Sequence, residues 1–180
     1  MPTFDLVPHP ATAPAAPPFR LWVNVDRSAA FGRSATLNLH YCIGAPASRF
    51  RLPDADEPAR RDELWRTTCF EAFLEREGAD EYIEWNFAPS GDWAAYGFTA
   101  PRTGMAAADI DCPPYLRMED NLTWWTLGAT IAIPSRQCFN LGLSAVIEEK
   151  DGTKSYWALA HGGATPDFHD PTCFRARLPE

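Results

Sequence analysis

Apolar and polar residues alternate with a period of two along most of the chain, the mark of strands with one dry face. In a first run Phe19, Leu21, Val23 and Val25 fall on one side and Arg20, Trp22, Asn24 and Asp26 on the other. The alternation returns at Leu37, Leu39, Tyr41 and Ile43, at Trp125, Leu127, Ala129, Ile131 and Ile133, and at Phe139, Leu141, Leu143, Ala145 and Ile147. Shorter runs over 67–75, 81–88 and 155–160 have the same character. Turn formers punctuate these runs: Gly32 and Gly44 near the second, Gly-Ala-Asp-Glu at 78–81, Pro-Ser-Gly-Asp at 89–92, and an Asp-Gly pair within 149–154 that supports a tight hairpin. Roughly eight to ten strands separated by such turns predict an all-β fold, a two-sheet antiparallel β-sandwich of the immunoglobulin or jelly-roll kind. One short helix is predicted over 56–65, where Pro58 suits a first helical position and acidic residues sit near the positive end of the dipole. Leu64 and Trp65 would dock it on the sheet, because so short a helix is marginal alone.

Composition sets the domain count. A chain of 180 residues with 46% hydrophobic content can bury one substantial core. Residues 1–18 carry six prolines and few large apolar groups, so they are expected to form an extended arm, with one domain over 19–180. No basic segment followed by a continuous apolar stretch opens the chain, and a soluble, cytoplasmic protein without a membrane partner is expected. The net charge of -8 argues against nucleic acid, whose phosphates need clustered Lys and Arg. Five cysteines without a C-x-x-C pair fit reduced thiols rather than a disulfide framework.

Candidate chemistry gathers in the aromatic-rich stretch 82–98. Ile83, Trp85 and Phe87 are expected to face the core, with Tyr82, Glu84 and Asn86 on the other side and Trp93 and Tyr96 beyond the 89–92 turn. A carboxylate, an amide and flat rings together suit a sugar: the rings cover its C–H faces while Glu and Asn satisfy hydroxyls. The competing reading is the solvated outer face of a half-exposed strand. Glu71 shares a face with Cys69 and Phe73 and would need a partner if buried, with Arg60, Arg61, Arg66 and Arg102 as candidates for a structural ion pair. Were Glu71 and Glu84 to face one cleft, they could also form the carboxyl pair of a glycosidase, which needs a separation of roughly 5 to 9.5 Å. His161, His169 and Cys173, with Asp167 and Asp170, lie in a Gly- and Pro-containing loop, but their spacing matches no standard zinc pattern and no metal is expected. Phosphate-binding glycine loops, nucleophile elbows and H-E-x-x-H are absent from the sequence.

Three segments carry a family likeness: 64–74, with Trp-x-x-x-Cys-Phe-Glu; 81–105, with Asn-Phe-x-Pro-Ser-Gly-x-Trp-Ala-Ala-Tyr; and 155–169. From about residue 19 onward the chain resembles the bacterial DOMON-like domains related to family 9 carbohydrate-binding modules. The resemblance implies a β-sandwich that binds a carbohydrate or sugar-like small molecule without transforming it. Its cytochrome-like branch implies haem instead, for which Met105, Met118, His40, His161 and His169 are available without a C-x-x-C-H attachment. Glu71, Glu84, Asn86, Pro89, Gly91 and Trp93 match the shared pattern, while Ala88 stands where secreted modules usually carry asparagine. The ligand-binding residues so expected are Trp65, Glu71, Glu84, Asn86, Trp93, Tyr96, Arg102 and Trp157; no catalytic residue is assigned, and the oligomeric state is left open.

Overall fold

Almost all regular structure in the protein is antiparallel strand: β1 (Thr3–Pro8), β2 (Leu21–Phe31), β3 (Ser34–Ile43), β4 (Cys69–Arg76), β5 (Tyr82–Phe87), β6 (Trp93–Phe98), β7 (Ala106–Ala107), β8 (Tyr115–Asp120), β9 (Trp125–Pro134), β10 (Phe139–Glu148), β11 (Lys154–Ala158) and β12 (Ala176–Leu178). The computed structural model describes residues 1–14, 16–31, 34–54 and 57–180, so the Gly32 turn and Asp56, the first residue of the predicted helix, lie outside the described residues. No α-helix forms among the described residues, and no helix is long and apolar enough to cross a membrane. The expected helix over 56–65 is replaced by extended chain and one 3-10 turn, Leu64–Arg66. Trp93 N donates to Ala59 O (3.0 Å) and Arg61 N to Trp93 O (2.9 Å), so this segment satisfies the outer edge of β6. For so short a segment those edge bonds outweigh a helix that cannot stand alone.

The strands follow one hydrogen-bonded path, β7-β6-β5-β4-β10-β11-β1-β2-β3-β9-β8, with β12 also on β10. β1 is the joint. Its Thr3–Leu6 half pairs with β2 and its last two residues pair with β11, so the chain start belongs to both arms of the sheet rather than standing apart from the domain. The path curls until the arms meet: Tyr41 on β3 and Trp125 on β9 pack on Phe70 of β4, with ring centroids 4.9 and 5.6 Å apart. Tyr41 Oη donates to the Glu71 carbonyl across that contact at 2.7 Å. Where two separate sheets were expected, a single curled sheet encloses one core, because β1 passes from one arm to the other.

Alternation places the core residues as the sequence suggests: Leu21, Val23 and Val25 of β2 and the odd-numbered apolar residues of β3 and β9 are buried. β4, β6 and most of β10 instead bury both faces. Ile83, expected in the core, is 38% exposed: it lines an open cleft between the arms with Leu74 and Ile133. The 89–92 turn forms around Gly91, whose φ of 95° is in the left-handed region that favours glycine.

Candidate ligand-binding site

The second buried face lies on the outside of the curl, over β4, β5, β6 and β10. Alternation brings Glu71 and Phe73, Tyr82 and Glu84, Tyr96 and Phe98, and Ser144 and Val146 to this side. Glu71 pairs with Asn86 across β4 and β5, while Glu84 pairs with Phe73, so the two carboxyls are diagonal neighbours. Such positions are about 7–8 Å apart along the sheet, within reach of long side chains. The solvated outer face weighed above is therefore not what forms: Tyr82, Glu84 and Asn86 are only 4%, 5% and 0% exposed.

Two segments roof this face. The 3-10 turn Leu64–Arg66 follows Glu63 in the left-handed conformation and delivers Trp65, whose ring meets the edge of Tyr96 at 5.9 Å. Tyr96 Oη donates to Asp62 Oδ1 at 2.7 Å and holds the approach to that turn. The loop 159–170 delivers Phe168 and His169. Tyr82 Oη accepts the Arg102 N–H at 3.2 Å and lies 2.7 Å from His169 Nδ1; Arg102 in turn reaches Asp167 Oδ1 through Nη2 at 2.7 Å. Behind the loop, Phe174 stacks on Phe73 at 5.6 Å, and Gly142 makes room for it, since a Cβ there would lie 2.5 Å from the Phe174 ring. Roof and sheet enclose a cavity of about 350 Å³. Glu71 and Glu84 line it together with Trp65, Phe98, Tyr156 and Phe168, and Arg102, Met105, Val146, Pro166 and His169 complete the wall. Its size falls in the lower part of the range of roughly 300–1,000 Å³ typical of small-molecule sites.

Burial dominates the electrostatics. It pushes the Glu71 carboxyl well above the usual range, the neighbouring Glu84 charge adds to the shift, and the hydrogen bond from Ser144 Oγ (3.0 Å) opposes it. Glu84 is also raised by burial, against the Asn86 amide, which donates to Oε1 at 2.6 Å. Burial, then the Arg102 charge, lower His169 to about 4. The imidazole is therefore neutral at neutral pH, and its approach to Glu84, Nε2 to Oε2 at 3.6 Å, is a polar contact rather than an ion pair. The ion pair expected for Glu71 does not form among the described residues. Arg60 donates to the carbonyls of Ala95 and Ala108, Arg61 pairs with Asp92, Arg66 with Glu63 and Arg102 with Asp167.

Of the residues expected to bind ligand, Trp65, Glu71, Glu84 and Arg102 converge on this cavity. Tyr96 buttresses Trp65, and Asn86 lies beneath Glu84 as its donor rather than in the lining. Trp93 and Trp157 are on the wrong side. Trp93 and Tyr96 are three residues apart on one strand and so face opposite ways; Trp93 packs near Trp85 at 6.0 Å in the core. Trp157 packs on Phe19 at 4.9 Å and donates to Ser155 Oγ.

No group of three or more His, Cys, Asp or Glu among the described residues could hold a metal ion. His161 Nε2 bonds the Val7 carbonyl at 2.9 Å, and Cys173 Sγ lies 3.0 Å from the Ala160 carbonyl. The candidate haem ligands do not assemble into a pair fit for iron: Met105 and His169 share the cavity, but both His169 nitrogens face protein groups. His40 and Met118 belong to β3 and β8 in the other arm.

No family model matches the chain, and no curated protein matches it. A solved structure shares its fold. The crystal structure of a candidate carbohydrate-binding protein from Bacteroides uniformis superposes with a TM-score of 0.59 at 16% identity, covering 96% of this chain and 84% of that one. At that identity the likeness is one of fold.

The sequence reading missed Phe98, Tyr156, Phe168 and His169 in the lining. Phe168 and His169 could have been found from one signal: two large rings inside a loop punctuated by Gly162, Gly163, Pro166 and Pro171. A loop held over a rigid scaffold is where binding groups concentrate.

Proposed function

We propose that the chain is a non-catalytic binding module for a carbohydrate or sugar-like small molecule, seated in the cavity between the outer sheet face and its two roof segments. The observation that carries this reading is the convergence of Glu71 and Glu84 beneath Trp65, Phe98, Tyr156 and Phe168 on one cavity. Rings of this kind cover apolar C–H faces, and buried carboxyls accept from hydroxyl groups that leave water. The finer reading treats the two arms as the layers of a β-sandwich of the DOMON-like, family 9 type; the segments at 64–74, 81–105 and 155–169 support it. The fold shared with the Bacteroides uniformis protein supports the ligand class.

Calorimetric titration with a panel of mono- and disaccharides tests the proposal. Saturable binding is expected for at least one sugar, and Trp65→Ala is expected to weaken it about tenfold, or about 1.4 kcal/mol. Flat titrations across the panel at millimolar sugar, with the protein folded, would overturn the reading. Hydrolysis is the second reading, favoured by the diagonal Glu71 and Glu84 carboxyls, the pKa of Glu71 being raised by burial and by its neighbour. It requires release of reducing sugar from a glycoside that stops in Glu84→Gln.

A further inference from the structure

The cavity holds acidic groups that the protein answers only in part. Glu71 is 3% exposed, and among the described residues its carboxyl accepts one hydrogen bond, from Ser144 Oγ to Oε2. Oε1 has no partner among the described residues, and Glu71 contributes to the cavity lining. Glu84 spends Oε1 on the Asn86 amide, while Oε2 faces a histidine held neutral. The guanidinium in the lining, Arg102, directs both Nε and Nη2 at Asp167. Buried carboxylates are ordinarily matched by a cation, because an unanswered charge in a poorly solvated site is costly. Here the Arg102 charge reaches both carboxyls only from a distance, and among the described residues no arginine or lysine makes an ion pair with either of them.

The walls suit the missing partner. Trp65, Phe98, Tyr156 and Phe168 border the space above the carboxyls, and aromatic faces attract cations as well as C–H groups. A net charge of -8 raises the local concentration of small cations around the molecule. A neutral sugar would use the rings and some acceptor capacity, whereas an ammonium group would also favour the ionised form of carboxyls whose pKa burial raises.

We propose that the ligand carries an ammonium group, as in an amino sugar or a comparable amine-bearing polyol, and that this group seats between Glu71 and Glu84 beneath the aromatic walls. The inference rests on the cavity being the sugar site proposed above, and it adds the charge that the ligand must bear. Each of glucosamine, galactosamine and mannosamine is to be titrated against its neutral parent hexose at near-neutral pH and low salt, with benzyltrimethylammonium as an amine without a sugar. At least one hexosamine is expected to bind tenfold or more tightly than its parent, and Glu71→Gln and Glu84→Gln are each expected to shrink that ratio to threefold or less. A parent hexose that binds as well as its amine would overturn the ammonium inference and keep the sugar reading. Binding of benzyltrimethylammonium without any hexosamine would keep the cationic site and remove the sugar. No binding by any probe to folded protein would remove both.

Discussion

Glu71→Gln is expected to make the protein more stable while weakening its ligand binding. The carboxyl lies at 3% exposure beside Glu84 and makes no ion pair among the described residues, and its pKa in the fold is raised by burial and by that neighbour against the more distant Arg102 charge. A raised carboxyl favours the folded state fully below the unfolded value, roughly 4.3 for Glu, and that contribution is lost as pH rises through the folded value. The penalty on the wild type therefore grows as pH rises above the unfolded value, and the amide carries none. A gain of about 1–2 kcal/mol, equivalent to roughly 2–8 °C in Tm for a chain of this size, is expected at about pH 8. His169 works in the opposite sense: its lowered pKa adds stability as pH rises from about 4 toward the usual histidine range. Other groups face the pair too, including Tyr82, Cys69 and the Arg102–Asp167 ion pair, so the difference between wild type and variant isolates Glu71. Thermal melts of both proteins from about pH 5 to 8 measure it. A variant that melts lower than wild type at the alkaline end would mean that Glu71 is a structural element and not a group held ready for a ligand.

Deletion of residues 1–8 is expected to abolish cooperative folding. Loss of β1 would unpair the edges of β2 and β11 together and remove Leu6, which is 3% exposed, from the core. The arms would then lose the strand that hydrogen-bonds to both, and two bare strand edges would invite association. The loss should exceed about 4 kcal/mol, a large share of the roughly 5–15 kcal/mol that folds a domain. Circular dichroism melts and limited proteolysis would register this as a missing cooperative transition and rapid cleavage. A truncated protein that melts within a few degrees of the full chain would reduce β1 to an appendage.

Strands with one wet face were legible because their side chains obey a period of two that nothing else in the chain imitates. β2, β3 and β9 are of this kind, and their inward residues were identifiable one by one. β1 was not, since Thr-Phe-Asp-Leu-Val-Pro sits among prolines and draws its order from partners far along the chain. Glu71 stood out because it shares a face with Cys69 and Phe73, and Glu84 because it joins Tyr82 and Asn86 opposite the core-facing rings; both are in the cavity lining. Trp93 and Trp157 were assigned to the ligand by residue type, although the strand parity that placed Tyr96 and Tyr156 on the outer face also sends both tryptophans inward. The roof residues Phe168 and His169 were beyond such reasoning, because what places a loop over a face is the tertiary contact of Tyr82 with His169 and of Arg102 with Asp167, which no periodicity encodes.

The contrast between β9 and β10 bears on how the sequence can drift. β9 buries alternate side chains and leaves the rest partly or fully open, whereas β10 buries all but one of its positions, with the core beneath and the roofed outer face above. Substitutions along β9 can thus accumulate at every second residue at little expense, and those along β10 meet a packed neighbour whichever way the side chain points. Diversification of this protein toward new ligands would therefore proceed through the roof segments, with the strand beneath them the slowest part of the molecule to change.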